Sequence, residues 1–288
     1  MTNFSLPARA LRLPRWSAGL ARWVGWLALL VPVMWLQLSL SGCATSGVGA
    51  TALQAEPLTE FDEPDTRKRA RIRLALASNY FDQGQTSVAL DEIKQSLAAD
   101  PSYVPAYVLR GLIYMRLGNG PLAEDSFQRA LQINPRDGDA LHNYGWFVCE
   151  SGRHAQAIEL FNRALASTTY AGQVTTHLVK GICQTRAGQL TEAEASFTKS
   201  YELDAANPIT GYNLAALLYR RGENNRAQFT IRRINNGEFA NAETLWLGIQ
   251  IERRLGNATV VEQLAQQLGR RYPQSPQWNR YQRGAFDE

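Results

Sequence analysis

The stretch GLIYMRLGNGPLAEDSFQRALQINPRDGDALHNYGWFVCESGRHAQAIELFNRA, residues 111–164, contains the same residue pattern twice. Small and aromatic residues recur 34 positions apart, as Gly111 and Gly145, Gly118 and Gly152, Ala123 and Ala157, Phe127 and Phe161, and Ala130 and Ala164. Upstream, Tyr80 and Pro101 are followed at the same interval by Tyr114 and Pro135. An interval that persists beyond one pair of segments indicates an array of stacked structural units.

A period of 34 residues is typical of tetratricopeptide repeats, in which each unit is a pair of antiparallel helices, A and B. The units begin near Ala70, Val104, Gly138, Val174, Pro208 and Asn241. We therefore predict an all-α fold, a right-handed superhelical solenoid of about six tetratricopeptide repeats over residues 67–275. Between the third and fourth units the interval lengthens to 36 residues, in the segment 168–173.

The recurring residue types suit a stack of helix pairs. Where helix A presses on helix B only a small side chain fits, and this position holds Ala77, Gly111, Gly145, Gly181 and Ala215. In the sixth unit Val260 stands where helix B should carry a small alanine. Terminal repeats often depart from the pattern because they cap the exposed core.

The N-terminal segment has the features of a lipoprotein signal. Four arginines and no acidic residue precede Cys43, and an apolar run covers residues 24–36. Leu40-Ser41-Gly42-Cys43 matches a lipobox, in which small residues admit the chain to a peptidase and the thiol receives the lipid. We predict a signal peptide over 1–42 and a lipidated N-terminus with a flexible tether over 43–66. An uncleaved membrane helix is the alternative, but the run is shorter than the roughly 20 residues of a comfortable span.

Charge and residue inventory exclude several classes of function. From Cys43 onward the chain has 26 basic and 26 acidic residues and therefore no net charge. A basic surface that would bind nucleic acid is not expected. Three histidines, His142, His154 and His177, show no metal-ligand spacing. No P-loop, G-x-S-x-G or dinucleotide fingerprint is present. The sequence therefore predicts no enzyme, no cofactor, no metal and no small-molecule substrate.

Helix A lines the concave side of this architecture, and its inward positions are apolar or aromatic along much of the chain. We call this predicted surface the inner groove. Its residues are Leu74, Phe81, Val108, Leu112, Met115, His142, Trp146, Leu178, Ile182, Tyr212 and Tyr219. A contiguous apolar surface normally marks a binding site, here for a helix or a β-segment of a protein partner. Alternatively, a tightly wound superhelix would pack these side chains on one another.

The two remaining cysteines, Cys149 and Cys183, lie on neighbouring A helices. In the repeat frame they are offset by two positions. An oxidising compartment would allow a disulfide between them, but the offset favours two separate buried thiols.

Four stretches in two regions of the chain resemble a known family. LHNYGWFVCESG (141–152) and the later Thr169-Tyr170 resemble the N-N-Y-G-x-F-L-C and T-x-Y-P patterns of the type IV pilus biogenesis protein PilW, also called the pilotin PilF. AETLWLGIQIERRLGN (242–257) and QQLGRRYPQS (266–275) resemble its C-terminal signature. The resemblance covers about residues 70–282, and Ala171 stands where the family usually has proline.

The resemblance implies a lipoprotein on the periplasmic face of the outer membrane, anchored there by its N-terminal lipid. Its partner would be the pilus secretin, whose localisation and multimer assembly it promotes, and it would support pilus stability and twitching motility. Ala44 after the lipidated cysteine is similar to enterobacterial sorting signals for the outer membrane. The alternative function is a periplasmic adaptor that delivers substrates to a protease or to cell-wall enzymes. Residues 276–288 are predicted to form a C-terminal tail.

The lipobox generates the first prediction. Cys43→Ser removes the thiol that would receive the diacylglycerol, so lipidation should be lost and the chain should remain uncleaved or soluble. Metabolic labelling with a palmitate analogue measures this directly. Undiminished label in the variant would rule out Cys43 as the lipidation site.

Overall fold

The computed structural model describes residues 63–286 of the chain. The predicted signal peptide, Cys43 and almost all of the predicted tether lie outside the described residues. Within 63–286 the chain forms thirteen α-helices. They are α1 Asp65–Asp82, α2 Thr86–Ala99, α3 Val104–Arg116, α4 Gly120–Ile133, α5 Gly138–Glu150, α6 His154–Leu165, α7 Gln173–Arg186, α8 Leu190–Leu203, α9 Pro208–Arg220, α10 Asn224–Asn235, α11 Ala242–Arg254, α12 Ala258–Arg271 and α13 Pro276–Gln282.

The first twelve helices form six pairs, which confirms the predicted all-α fold of about six repeats. Each odd-numbered helix packs most extensively on the even-numbered helix that follows it. Helices α3, α5 and α9 begin at the predicted first residues of their repeats, and α7 and α11 begin one residue away. Helix α1 begins earlier, at Asp65, directly after Pro64, whose carbonyl accepts from the amide of Lys68.

The turns inside the repeats depend on glycine. Gly118 has a φ of 71° and Gly152 a φ of 78°, both in the left-handed region that a Cβ atom disfavours. Their amide nitrogens donate to Met115 and Cys149 carbonyls near the ends of α3 and α5. These turns let the chain reverse within three residues, which sets the length of the repeat.

Size complementarity between helices A and B holds each pair together. A Cβ atom on Gly111 would lie 2.6 Å from the ring of Phe127, and one on Gly145 would lie 2.7 Å from Phe161. Gly181 meets Phe197 in the same way. Where helix A carries alanine instead, the residue sixteen positions later is isoleucine. These smaller pairs are Ala77 with Ile93 and Ala215 with Ile231, all almost completely buried.

The last repeat is covered by residues 276–286 of the segment 276–288, which is predicted to form a C-terminal tail. Within it, α13 packs on α11 and α12. The ring of Phe286 stacks on Trp246 with centroids 5.5 Å apart, and its carbonyl accepts from Nε2 of Gln250 at 2.9 Å. Trp278 lies against Gly269 of α12. The C-terminal residues therefore close the apolar end of the stack, as a terminal repeat requires.

The interpretation of Cys149 and Cys183 as two separate thiols is wrong. The structure joins them in a disulfide between α5 and α7, with Cα atoms 5.9 Å apart. The predicted offset of two residues amounts to only about 3 Å along a helix axis. Neighbouring helices absorb such a displacement by a small shift, which brings the two sulfurs within bonding range.

The fit of glycine to phenylalanine generates a stability prediction. Gly145→Ala places a methyl group against the fully buried ring of Phe161, which has no space to move. Overpacking of this kind costs about 1–3 kcal/mol, so the melting temperature should fall by about 2–4 °C for each kcal/mol.

Gly120→Ala is the matched control, because its Cβ would meet only Phe147, at an ordinary 3.9 Å. The two variants should be compared by thermal unfolding followed by circular dichroism. Equal melting temperatures would contradict the proposed packing of helix A on helix B.

Candidate partner-binding groove

The predicted groove residues belong to odd-numbered helices, which contact one another across most of the boundaries between repeats, in addition to packing on the even-numbered helices. Helix α1 contacts α3, α3 contacts α5, α5 contacts α7, and α9 contacts α11. Helices that crowd together in a curved stack lie on its inner side, where extended binding surfaces form. The inner groove thus follows the line of the odd-numbered helices.

The structure covers the groove residues more than the sequence pattern suggests. Val108 and Leu178 are buried, with 8% and 6% of their surface exposed. The other nine are half-buried: Leu74, Phe81, Leu112, Met115, His142, Trp146, Ile182, Tyr212 and Tyr219. Most of these nine pack against the core of their own and adjacent repeats. A partner would therefore touch the outer edges of packed side chains.

Three of the groove rings are covered by arginines from the following A helix. The guanidinium carbon of Arg116 lies 3.7 Å from the ring centre of Phe81, and that of Arg254 lies 4.3 Å from the ring centre of Tyr219. Arg186 lies 5.3 Å from the ring centre of Trp146. The inner groove therefore presents stacked cations as well as apolar edges.

The sequence analysis above does not predict these three arginines over the groove rings, although a sequence signal exists for two of them. Arg116 follows Phe81, and Arg254 follows Tyr219, at 35 residues, which is one repeat plus one position. One added position is a rotation of about 100° around helix A. That rotation places the arginine side chain at the edge of the packed face of its helix, where it covers the ring of the preceding A helix.

A part-buried polar network lies beside the groove, at the lengthened joint between the third and fourth repeats. The ring of Tyr170 fills the space between Gly138 and Gly172, where a Cβ atom on either glycine would overlap it. Its hydroxyl lies 3.0 Å from Oγ1 of Thr176, which lies 2.7 Å from Nδ1 of His142. The ring of Tyr170 thus fills the space at this longer joint, which lacks the proline found as Pro101 and Pro135 in the first two joints.

Burial lowers the pKa of His142 to about 4. Removal from water disfavours the charged imidazolium, and the neighbouring ring of Phe161, 6.2 Å away between centroids, adds no opposing charge. His142 therefore remains neutral near pH 7 and serves the joint as a hydrogen-bonding group.

The chain matches the family model of the tetratricopeptide repeat at residues 74–138, 115–173 and 149–208. It is similar to the solved structure of PilW, a widely conserved type IV pilus biogenesis factor. The identity is 30%, the TM-score is 0.67, and the match covers 74% of this chain and 97% of that one. The chain belongs to the PilW/PilF family of tetratricopeptide-repeat proteins.

Two further comparisons agree with membership of the PilW/PilF family. The type IV pilus assembly protein PilF of Pseudomonas aeruginosa is 27% identical over 250 residues, which is 87% of this chain and 96% of PilF. The solved structure of Pseudomonas aeruginosa PilF matches with a TM-score of 0.69 at 24% identity, over 77% of this chain and 100% of that one. The second match concerns the fold alone.

The described part of the chain offers no group of three or more histidine, cysteine, aspartate or glutamate side chains suited to a metal ion. Across residues 63–286, no helix combines the length and the apolar character needed to cross a membrane.

The low pKa of His142 generates a prediction on pH dependence. The unfolded chain takes up a proton at this residue near pH 6.5, whereas the folded chain does so only near pH 4. Stability should therefore fall as the pH decreases from 6.5 to 4, by up to about 1.4 kcal/mol per pH unit from this group.

His142→Gln keeps an acceptor for Thr176 but cannot bind the proton, so it should flatten this part of the profile. Urea unfolding at several pH values, followed by circular dichroism, measures the slope. If the free energy of unfolding depended on pH equally in the variant and the wild type, the pH dependence would not arise from His142.

Proposed function

We propose that this chain is a lipid-anchored scaffold on the periplasmic face of the outer membrane. It binds the type IV pilus secretin, promotes its localisation and its assembly into multimers, and so supports pilus biogenesis and stability. The observation that carries the proposal is the relationship to PilW, which extends over 97% of that structure. The resemblance of the irregular joint and of the C-terminal segment 242–275 to the patterns of the PilW/PilF family supports the same proposal.

The lipid anchor is part of the same proposal and rests on Leu40-Ser41-Gly42-Cys43. A mature lipoprotein with two or three acyl chains is held stably, whereas a single chain holds a protein only marginally. The signal sequence and the lipobox together favour the periplasmic side of a membrane, and Ala44 favours the outer one.

The inner surface supports a protein partner. Its aromatic and apolar edges lie beside arginines, and aromatic and arginine side chains are the residue types that carry most binding energy in protein interfaces. We therefore propose that the chain acts by binding a partner and not by catalysis.

Deletion of the gene in its own bacterium separates the two scaffold functions. Loss of secretin multimers from envelope fractions, together with loss of surface fibres, supports the proposal. Normal pili with altered cell-wall morphology would support the periplasmic adaptor instead. A pull-down from detergent-solubilised envelopes, probed with an antibody to the secretin, then tests direct association.

Trp146 is the groove residue whose substitution should weaken the complex most clearly. It is half-buried under Arg186 and lies midway along the stack. Buried aromatic anchors of an interface commonly contribute about 2 kcal/mol or more, so Trp146→Ala should weaken secretin binding by roughly thirtyfold or more. The fold should survive, because Gly145 and Phe161 still pair.

The control is Arg233→Ala, an exposed position on α10 that should leave binding unchanged. Arg253 is unsuitable as a control, because its guanidinium stacks on Phe286, 4.2 Å from the ring centre. Affinity is measured by titrating labelled secretin into each variant, after circular dichroism confirms that the variant is folded. If a folded Trp146→Ala variant bound the secretin with wild-type affinity, the inner groove would not be the binding site.

A further inference from the structure

The arginines over the groove rings differ in what else they contact. Arg186 forms an ion pair with Glu150 of α5. Arg116 and Arg254 form no ion pair with any carboxylate among residues 63–286, and both are exposed. Towards each end of the line of A helices, the groove thus holds a stacked guanidinium whose charge is not neutralised by the described part of the chain.

Stacking on a ring prepares an arginine for carboxylate binding. The ring holds one face of the planar guanidinium and leaves its N–H edge open to solvent. One N–H of Arg116 also donates to the carbonyl of Phe81 at 2.7 Å, which orients the remaining donors. A pre-oriented guanidinium loses less side-chain freedom on binding, and carboxylates accept two parallel N–H bonds from it.

We propose that Arg116 and Arg254 form two carboxylate-binding positions of the inner groove, which recognise an acidic, extended segment of the protein partner. The proposal rests on the proposed function and specifies the chemistry of the partner at the same surface. The apolar edges of Leu112, Met115 and Tyr212 lie along the same inner face and suit the uncharged side chains of such a segment.

Charge complementarity favours a protein segment over a nucleic acid. Phosphates also bind arginine, but residues 43–288 have no net charge. A nucleic-acid site needs a continuous basic field, because its affinity arises mainly from many phosphate contacts. Two separated guanidinium groups with apolar edges beside them instead suit a chain that alternates carboxylate and apolar side chains.

The distance between the two positions determines the length of the probe. Packed helices lie about 8–10 Å apart, and Arg116 and Arg254 are four repeats apart, so the path between them along the stack is roughly 32–40 Å. An extended chain of about 12 residues spans this distance at roughly 3.3 Å per residue. A peptide of about 14 residues is therefore long enough to reach both arginines.

The experiment uses the full chain purified from membranes in detergent. The probes are two fluorescein-labelled peptides, one alternating aspartate and leucine, the other alternating asparagine and leucine, titrated by fluorescence anisotropy. We expect the aspartate peptide to bind about tenfold or more tightly at low salt, since charge-assisted hydrogen bonds are roughly twice as strong as neutral ones. Raising the salt from about 50 to about 300 mM should reduce the difference.

The variants assign the effect to the stacked arginines. Arg116→Gln combined with Arg254→Gln should abolish the preference for the aspartate peptide. Arg69→Gln combined with Arg233→Gln is the control. It removes the same charge from exposed positions with no ring contact in the described chain, and the preference for the aspartate peptide should remain. Arg116→Lys combined with Arg254→Lys keeps the charge without the planar stacking and should give an intermediate preference.

Three outcomes would overturn the inference: equal binding of both peptides, binding of neither, or an equal loss in the control pair. The same variants titrated with purified secretin separate the two proposals. Secretin binding that is unchanged by the Gln pair contradicts the carboxylate positions and leaves the proposed function standing. A preference for the aspartate peptide without any secretin binding contradicts the proposed function and leaves the carboxylate positions standing.

Discussion

The contact between a glycine of helix A and a phenylalanine of helix B is the constraint on which the rest of the structure depends. In three consecutive repeats the ring lies so close that a single methyl group on Gly111, Gly145 or Gly181 would overlap it. Close approach lets the two helices of a repeat share one buried ring, and the next repeat then packs on the pair. In the repeats with alanine on helix A and isoleucine on helix B, a larger residue on helix A is matched by a smaller one on helix B. The space between the helices is therefore still filled, and the period of the stack is preserved.

The joint between the third and fourth repeats shows how the stack tolerates an irregularity. Two extra residues would displace α7 if nothing filled the space, and the ring of Tyr170 fills it between two glycines. The hydroxyl groups of Tyr170 and Thr176 and the imidazole of His142 then satisfy one another away from water. The disulfide between Cys149 and Cys183 joins the helices on either side of this joint. The least regular joint of the stack is thus also the one with a covalent connection.

The inner surface combines the packing of the repeats with the partner binding that we propose for it. Its aromatic side chains are partly enclosed by their neighbours, so they stabilise the stack and still expose an edge. Arginines from the next repeat cover three of these rings, and the same stacking that protects the rings holds the guanidinium groups in place. An apolar surface in water tends to associate without selectivity. In the function proposed above, the covering cations would make this surface selective, because a partner would have to supply both apolar contact and carboxylates.

The sequence by itself determined the features that repeat within one unit. The 34-residue period, the small residues facing helix B and the turn glycines all depend on spacing along a single helix pair, so they can be read from Gly111, Phe127 and Gly118 without further information. Only the tertiary structure decided the features made by residues from different repeats. Arg116 meets Phe81, Cys149 meets Cys183, and Phe286 covers Trp246, because the offset and rotation between neighbouring helices bring these distant positions together. Those offsets arise from the packing of complete side chains, which a pattern of residue types does not specify.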